Sequence, residues 1–155
     1  MYPHSHFLFG LFLGIVLLQA GILSSTGVIL LSVLAVLIDV DHFLYFAFKH
    51  KSASVRNAWN AAVVFHEKGE RTFIHNSLGG VLVLVLCVLL FFISSQLSII
   101  VLVAYLSHML LDYMPFPSST SKKFSASIFK FSLAVSYREL VFDVLLTLCI
   151  GIMLI

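Results

Sequence analysis

Apolar residues fill five long stretches of this chain, approximately 7-23, 28-48, 73-93, 97-114 and 139-155. The connections between them are unequal. Segments 24-27 and 94-98 contain no charged or histidine residue, whereas 49-72 and 115-138 carry most of the hydrophilic mass. No stretch shows the strict alternation of a barrel strand, and each approaches the roughly 20 apolar residues with which a helix crosses a bilayer. Backbone polar groups in lipid must pair internally, which leaves helices for so continuously apolar a sequence. The pattern predicts an all-α, polytopic membrane bundle of about five transmembrane helices, forming a single integral-membrane domain over 1-155.

Followed back and forth through these crossings, the nine Lys and Arg, seven Asp and Glu and seven His all fall on one face of the membrane. The positive-inside rule assigns that face, and the N-terminus, to the cytoplasm. The first stretch has no Lys or Arg before it, so it reads as a retained helix rather than a signal peptide. Composition agrees: 61% hydrophobic and 10% charged residues stand against about 25% charged in soluble domains.

A net charge of +2 is too small to suggest nucleic acid, and membrane lipids are the expected acidic neighbours. Phe116, Phe124, Ile128, Phe129 and Phe131 are interleaved with Lys and Ser in 115-138, which suits either a headgroup-level segment or an ordinary cytoplasmic loop. Cys87 and Cys149 lack CxxC spacing, so neither a disulfide framework nor a zinc knuckle is implied.

The chemistry lies at the ends of the apolar stretches. Asp39, Asp41 and His42 stand in Asp39-Val40-Asp41-His42, with apolar residues on both sides. Charges at membrane depth cost at least roughly 2.5 kcal/mol each, and a bound cation offsets that cost. On a helix, Asp39 and His42 lie about 60° apart and can share one ion, while Asp41 points elsewhere. His108 and Asp112 have the i, i+4 spacing that offers two ligands on one stripe. His75 opens the third stretch with Arg71 four residues before it, and His6 begins the first.

Topology brings these residues from four crossings to one depth. Their mixture of imidazole and carboxylate favours Zn, with Mn or Fe as alternatives, over Ca or Mg. The set exceeds what one zinc needs, so one or two ions fit. The plainer readings are an interfacial His75, a His108–Asp112 hydrogen bond within a bundle, and a solvated end for Asp39 to His42. His4, His50 and His66 read as solvated. Glu139 and Asp143, also i, i+4, pair most simply with Arg138 or Lys130, or support the site from behind.

The set His6-x-x-x-Gly10, Asp39-Val40-Asp41-His42, Arg71-x-x-x-His75-Asn76-Ser77 and His108-x-x-x-Asp112 resembles the YdjM-like membrane-bound metal-dependent hydrolases over roughly 6-117. Ile38, Thr72 and Asn76 depart from the Pro, Gly and Ser usual there. The family's hydrolase label itself derives largely from a motif similarity to zinc-dependent phospholipase C.

The resemblance implies a metal site more firmly than a substrate. The expected function is metal-dependent hydrolysis of a phosphoester, plausibly lipid-linked, at the cytoplasmic face. His6, Asp39, His42, His75, His108 and Asp112 would hold metal, Asp41 would act as general base or further ligand, and Arg71 would bind phosphate. The alternatives are an ion-coupled transporter, which the absence of ionisable groups on the far face disfavours, and a non-catalytic protein whose metal staples its helices.

Overall fold

The computed structural model describes residues 3–60, 72–113, 123–128 and 131–155, with the backbone alone at 60, 123–128 and 131–134. Within them the chain forms α1 (Pro3–Gln19), α2 (Ser25–Leu37), α3 (Val40–His50), α4 (Val55–Asn60), α5 (Ser77–Phe91), α6 (Ser95–Tyr113) and α7 (Tyr137–Met153). A short antiparallel hairpin, β1 (Lys123–Ile128) and β2 (Phe131–Ser136), precedes α7 and pairs Lys123 with Ser136 through Ile128 with Phe131. The all-α bundle matches the pattern of apolar stretches. The hairpin and α4 were not foreseen, because both lie in the polar connections where periodicity is short.

Small polar side chains set the helix starts. Ser24 accepts from the Gly27 amide, Asn76 from Gly79, Ser94 from Leu97 and Ser136 from Glu139. Each satisfies one of the amides that a helix N-terminus leaves unpaired, a contribution of about 1 kcal/mol. α1 begins earlier than the apolar run suggested, so His4, Ser5 and His6 all lie in its first turns.

The second apolar stretch is not one uniform helix. At Ile38 and Asp39 the backbone stays right-handed, but the amides of Asp39, Asp41 and His42 bond three residues back, to Val36, Ile38 and Asp39. This tighter 3₁₀-like winding nearly eclipses residues three apart, so Asp39 and His42 project together. Ile38 donates its own amide to Leu34, a bond that a proline at this position could not make.

α1 packs against α2, α6 and α7, α2 packs against α6, and α5 lies against α6. Leu23, Leu31, Ala35, Ile100 and Ala104 form the core between α2 and α6, and Ile15, Val28 and Ile150 join α1, α2 and α7. Gly10 and Gly14 permit the closest approach. A Cβ at Gly10 would meet Ala35 Cβ at 3.1 Å and Ser32 Cα at 3.2 Å, and one at Gly14 would meet Val28 Cγ1 at 2.9 Å. Small residues one turn apart are a common device for bringing membrane helices together.

Among the described residues, Ser25–His50 (α2 with α3) and Ser95–Tyr113 are long and apolar enough to cross a bilayer, and Pro3–Gln19 and Ser77–Phe91 are shorter apolar helices. α5 leaves Leu78, Val81, Leu84, Val85, Val88 and Leu89 exposed. An apolar surface this extensive suits lipid rather than water.

Candidate metal centre

Four elements deliver ionisable side chains to one end of the bundle. His6 comes from the first turns of α1, Asp39 and His42 from the α2–α3 junction, His75 from the turn before α5, and His108 and Asp112 from the last turns of α6. His75 was expected on a helix. It sits instead in the tight segment 72–76, where its amide bonds the Thr72 carbonyl.

The ligand atoms converge within side-chain reach. Asp112 Oδ1 lies 3.2 Å from His6 Nε2, and Asp112 Oδ2 lies 3.2 Å from both His75 Nε2 and His108 Nε2. Asp39 Oδ1 is 3.4 Å from His108 Nε2 and 3.9 Å from His42 Nε2, and Asp39 Oδ2 is 3.9 Å from His6 Nε2. Two groups have the compactness of a metal shell: His6, Asp39, His108 and Asp112, and Asp39, His42 and His75. Asp39 belongs to both.

The tautomers fix what these atoms offer. His108 Nδ1 lies 2.8 Å from the Ala35 carbonyl, which can only accept, so Nδ1 carries a proton and in the neutral ring Nε2 presents a lone pair. His75 Nδ1 lies 3.1 Å from Asp41 Oδ2 and 2.7 Å from Thr72 Oγ1, which assigns its proton in the same way. His6 is almost wholly buried, with Nε2 beside Asp112 Oδ1 and Nδ1 without a hydrogen-bond partner among the described residues.

Imidazole lone pairs and carboxylate oxygens thus face one another in a buried space, an arrangement that repels unless something positive lies among them. A tetrahedral shell with bonds of about 2.0–2.1 Å has edges of about 3.3 Å; within the group of His6, Asp39, His108 and Asp112 the closest separations are 3.2–3.4 Å, and His6 stands 3.9 Å from Asp39. The residues present therefore fit a divalent metal.

Asp41 turns away from Asp39, as the helical angle required, and accepts from both His75 Nδ1 and the Ile74 amide. Its carboxylate thereby orients a ring whose other nitrogen faces the centre. Tyr105, one turn before His108, donates to the Ile74 carbonyl at 3.1 Å. A Cβ at Gly79 would collide with the Phe73 carbonyl and stand 2.7 Å from Ile74 Cα. Tyr105 and Gly79 together hold segment 72–76 against the bundle.

A family model described as "YdjM inner membrane protein" matches residues 1–150. The chain belongs to the YdjM family. It is a membrane protein, as its apolar helices also indicate. No curated protein and no solved structure matches it.

Two of the departures from the YdjM-like motifs have local roles. Thr72 places its hydroxyl beside His75, and Asn76 caps α5 as a serine would.

Several expected residues lie elsewhere. Arg71 and His66 are outside the described residues, as are Pro115, Pro117, Phe116 and Phe129, and the side chains of Phe124, Ile128 and Phe131 are not described. His50 lies near the end of α3 against Phe46, away from the centre. His4 is not merely solvated: its Nε2 is 2.9 Å from Asp143. The described partners of Glu139 and Asp143 are Ser5 and His4 across the bundle rather than Arg138. Sequence reading missed the Ala35 carbonyl because residue type carries no signal for a backbone acceptor. The spacing of Tyr105 to His108 was the available hint for Tyr105.

Proposed function

We propose that this YdjM-family chain is a multi-pass, metal-dependent hydrolase of phosphoesters, plausibly lipid-linked ones, with its N-terminus and active site at the cytoplasmic face. The observation that carries this reading is the convergence of His6, His75 and His108 Nε2 on the carboxylates of Asp39 and Asp112. The basic residues of 49-72 and 115-138 support the orientation.

His6, Asp39, His108 and Asp112 would hold one ion, zinc being the best match to their donors. Asp39, His42 and His75 would hold a second, Asp39 belonging to both groups. Such ions supply Lewis acidity, lowering the pKa of water toward neutrality and offsetting charge that develops on phosphoryl oxygens.

The chain's own residues do the rest. Asp41 and the Ala35 carbonyl lock the rings of His75 and His108 with Nε2 directed inward. The buried rings of His6 and His108 stack at 4.0 Å and close the inner side of the centre. The His42 side chain, 37% exposed, and that of Asp39, 25% exposed, form the open edge through which water and a phosphoryl group enter. Where the first ion alone is bound, His42 Nε2 would be placed to take a proton from water or return one to the leaving alcohol. Arg71, four residues before His75, is the proposed bidentate partner of the phosphate.

The test is turnover by the full chain in detergent, with metal counted by elemental analysis. Phosphomonoesters, phosphodiesters and lipid-linked phosphoesters are assayed with and without chelator. Hydrolysis that disappears with chelator and in His108→Ala supports the reading. Stoichiometric metal with no turnover across that panel rejects catalysis and leaves the metal as a helix staple.

A further inference from the structure

Thr72 follows the charged residues Glu67, Lys68, Glu70 and Arg71 in the chain, yet it is only 3% exposed. It holds His75 twice. Its carbonyl accepts the His75 amide at 3.1 Å, and its Oγ1 lies 2.7 Å from His75 Nδ1. Its hydroxyl also bonds the Asp41 carboxylate, whose Oδ2 is 3.1 Å from the same ring nitrogen. Thr72, His75 and Asp41 thus meet in a closed triangle behind the metal centre.

One arrangement of hydrogens suits all three groups. With Nε2 directed at the centre, the neutral ring has a single proton to give, on Nδ1; a carboxylate only accepts, and a hydroxyl does both. The Nδ1 proton is therefore divided between Thr72 Oγ1 and Asp41 Oδ2, and the Thr72 hydrogen goes to Asp41. Asp41 needs that donor. Its Oδ2 takes the Ile74 amide at 3.3 Å, while its Oδ1 is buried without a hydrogen-bond partner among the described residues. A ring held by one acceptor can pivot about its N–H direction, whereas acceptors on two elements, α3 and segment 72–76, fix its plane. The β-branch of Thr72 restricts χ1 and keeps the hydroxyl pointed at the ring.

We infer that Thr72 is a positioning residue for His75: its hydroxyl shares the Nδ1 proton with Asp41, donates its own hydrogen to that carboxylate, and so locks the ring with Nε2 toward Asp39 and His42. The effect on metal rests on the proposed metal centre. The triangle itself does not, since the Nδ1 proton is present with or without an ion.

The experiment uses the full chain in detergent, with ¹⁵N-labelled histidine, in two measurements. In the metal-free chain, nuclear magnetic resonance reads the His75 Nδ1–H signal, assigned by its absence in His75→Gln, and its rate of exchange with water. A zinc titration against a competing chelator then reads the affinity of the equivalent held with Asp39 and His42. Thr72→Val keeps the shape and removes the hydroxyl; it is expected to shift the Nδ1–H signal, speed its exchange and weaken that zinc equivalent about tenfold. Thr72→Ser, which restores a hydroxyl on a freer side chain, should recover most of both effects. Thermal melts check folding, and if Thr72→Val does not fold, Thr72→Ala takes its place. A wild-type Nδ1–H signal in the folded variant overturns the inference, as does a shifted signal with unchanged zinc affinity, or a Thr72→Ser protein that behaves like Thr72→Val. A wild-type chain that binds no zinc rejects the metal centre instead, and the Nδ1–H signal then still decides whether Thr72 holds the ring.

Discussion

His75 Nε2 and His108 Nε2 lie 3.0 Å apart, and in the neutral rings both protons sit on the opposite nitrogen. Asp41 holds one ring and the Ala35 carbonyl the other. Two imidazole nitrogens so close, with Asp112 Oδ2 3.2 Å from each, form a donor set suited to a Lewis acid.

Asp112 touches all three buried histidines, so it is the ligand whose loss should cost most. Asp112→Ala is expected to remove the metal equivalent held with His6, Asp39 and His108, an effect larger than the about 10–100-fold loss typical of an outer partner. Metal content equal to wild type by elemental analysis would remove Asp112 from the centre.

Asp41 is expected to act through His75. Asp41→Ala frees the ring and should weaken metal affinity about 10–100-fold, whereas Asp41→Asn retains an acceptor for Nδ1 and should weaken it less. A competitive chelator titration separates the two variants. Equal and undiminished affinity in both, with turnover lost, would instead make Asp41 the general base.

Segment 72–76 carries His75 without helical support, and Tyr105 and Gly79 hold it in place. Gly79→Ala overpacks against backbone and should destabilise the fold by about 1–3 kcal/mol. Tyr105→Phe removes one hydrogen bond and should cost about 0.5–1.5 kcal/mol. Thermal unfolding measures both losses, and a Gly79→Ala protein with the wild-type melting temperature would contradict the close approach.

Gly10 lets α1 approach α2 closely enough for His6 to meet Asp39 and Asp112. Gly10→Val should push the helices apart and lower metal occupancy more than Gly21→Ala, since nothing lies within 4 Å of a Cβ at Gly21. Gly21 has φ +71°, so its alanine variant reports backbone strain without helix separation. Equal occupancy in the two variants would rule out the spacing argument.

Much of this was legible in the chain. His6, Asp39, His75 and His108 all lie on the same side of the uncharged connections 24-27 and 94-98, which put them at one end of the bundle, and the i, i+4 spacing of His108 and Asp112 gave their shared stripe. Less could be read where backbone rather than side-chain pattern decides: the tightened winding at Ile38 and Asp39, the turn under His75 and the Ala35 acceptor. The pairing of Glu139 and Asp143 with Ser5 was hidden for another reason. It depends on which helix lies beside α7, and periodicity does not specify helix neighbours.

The helices are short for their task. α1, α5 and α7 have 17, 15 and 17 residues, or about 22–26 Å at 1.5 Å per residue, against a hydrocarbon thickness of about 30 Å. In the proposed topology the surrounding bilayer must thin to meet them. A bilayer thinned in this way would bring its headgroups closer to the depth of His42.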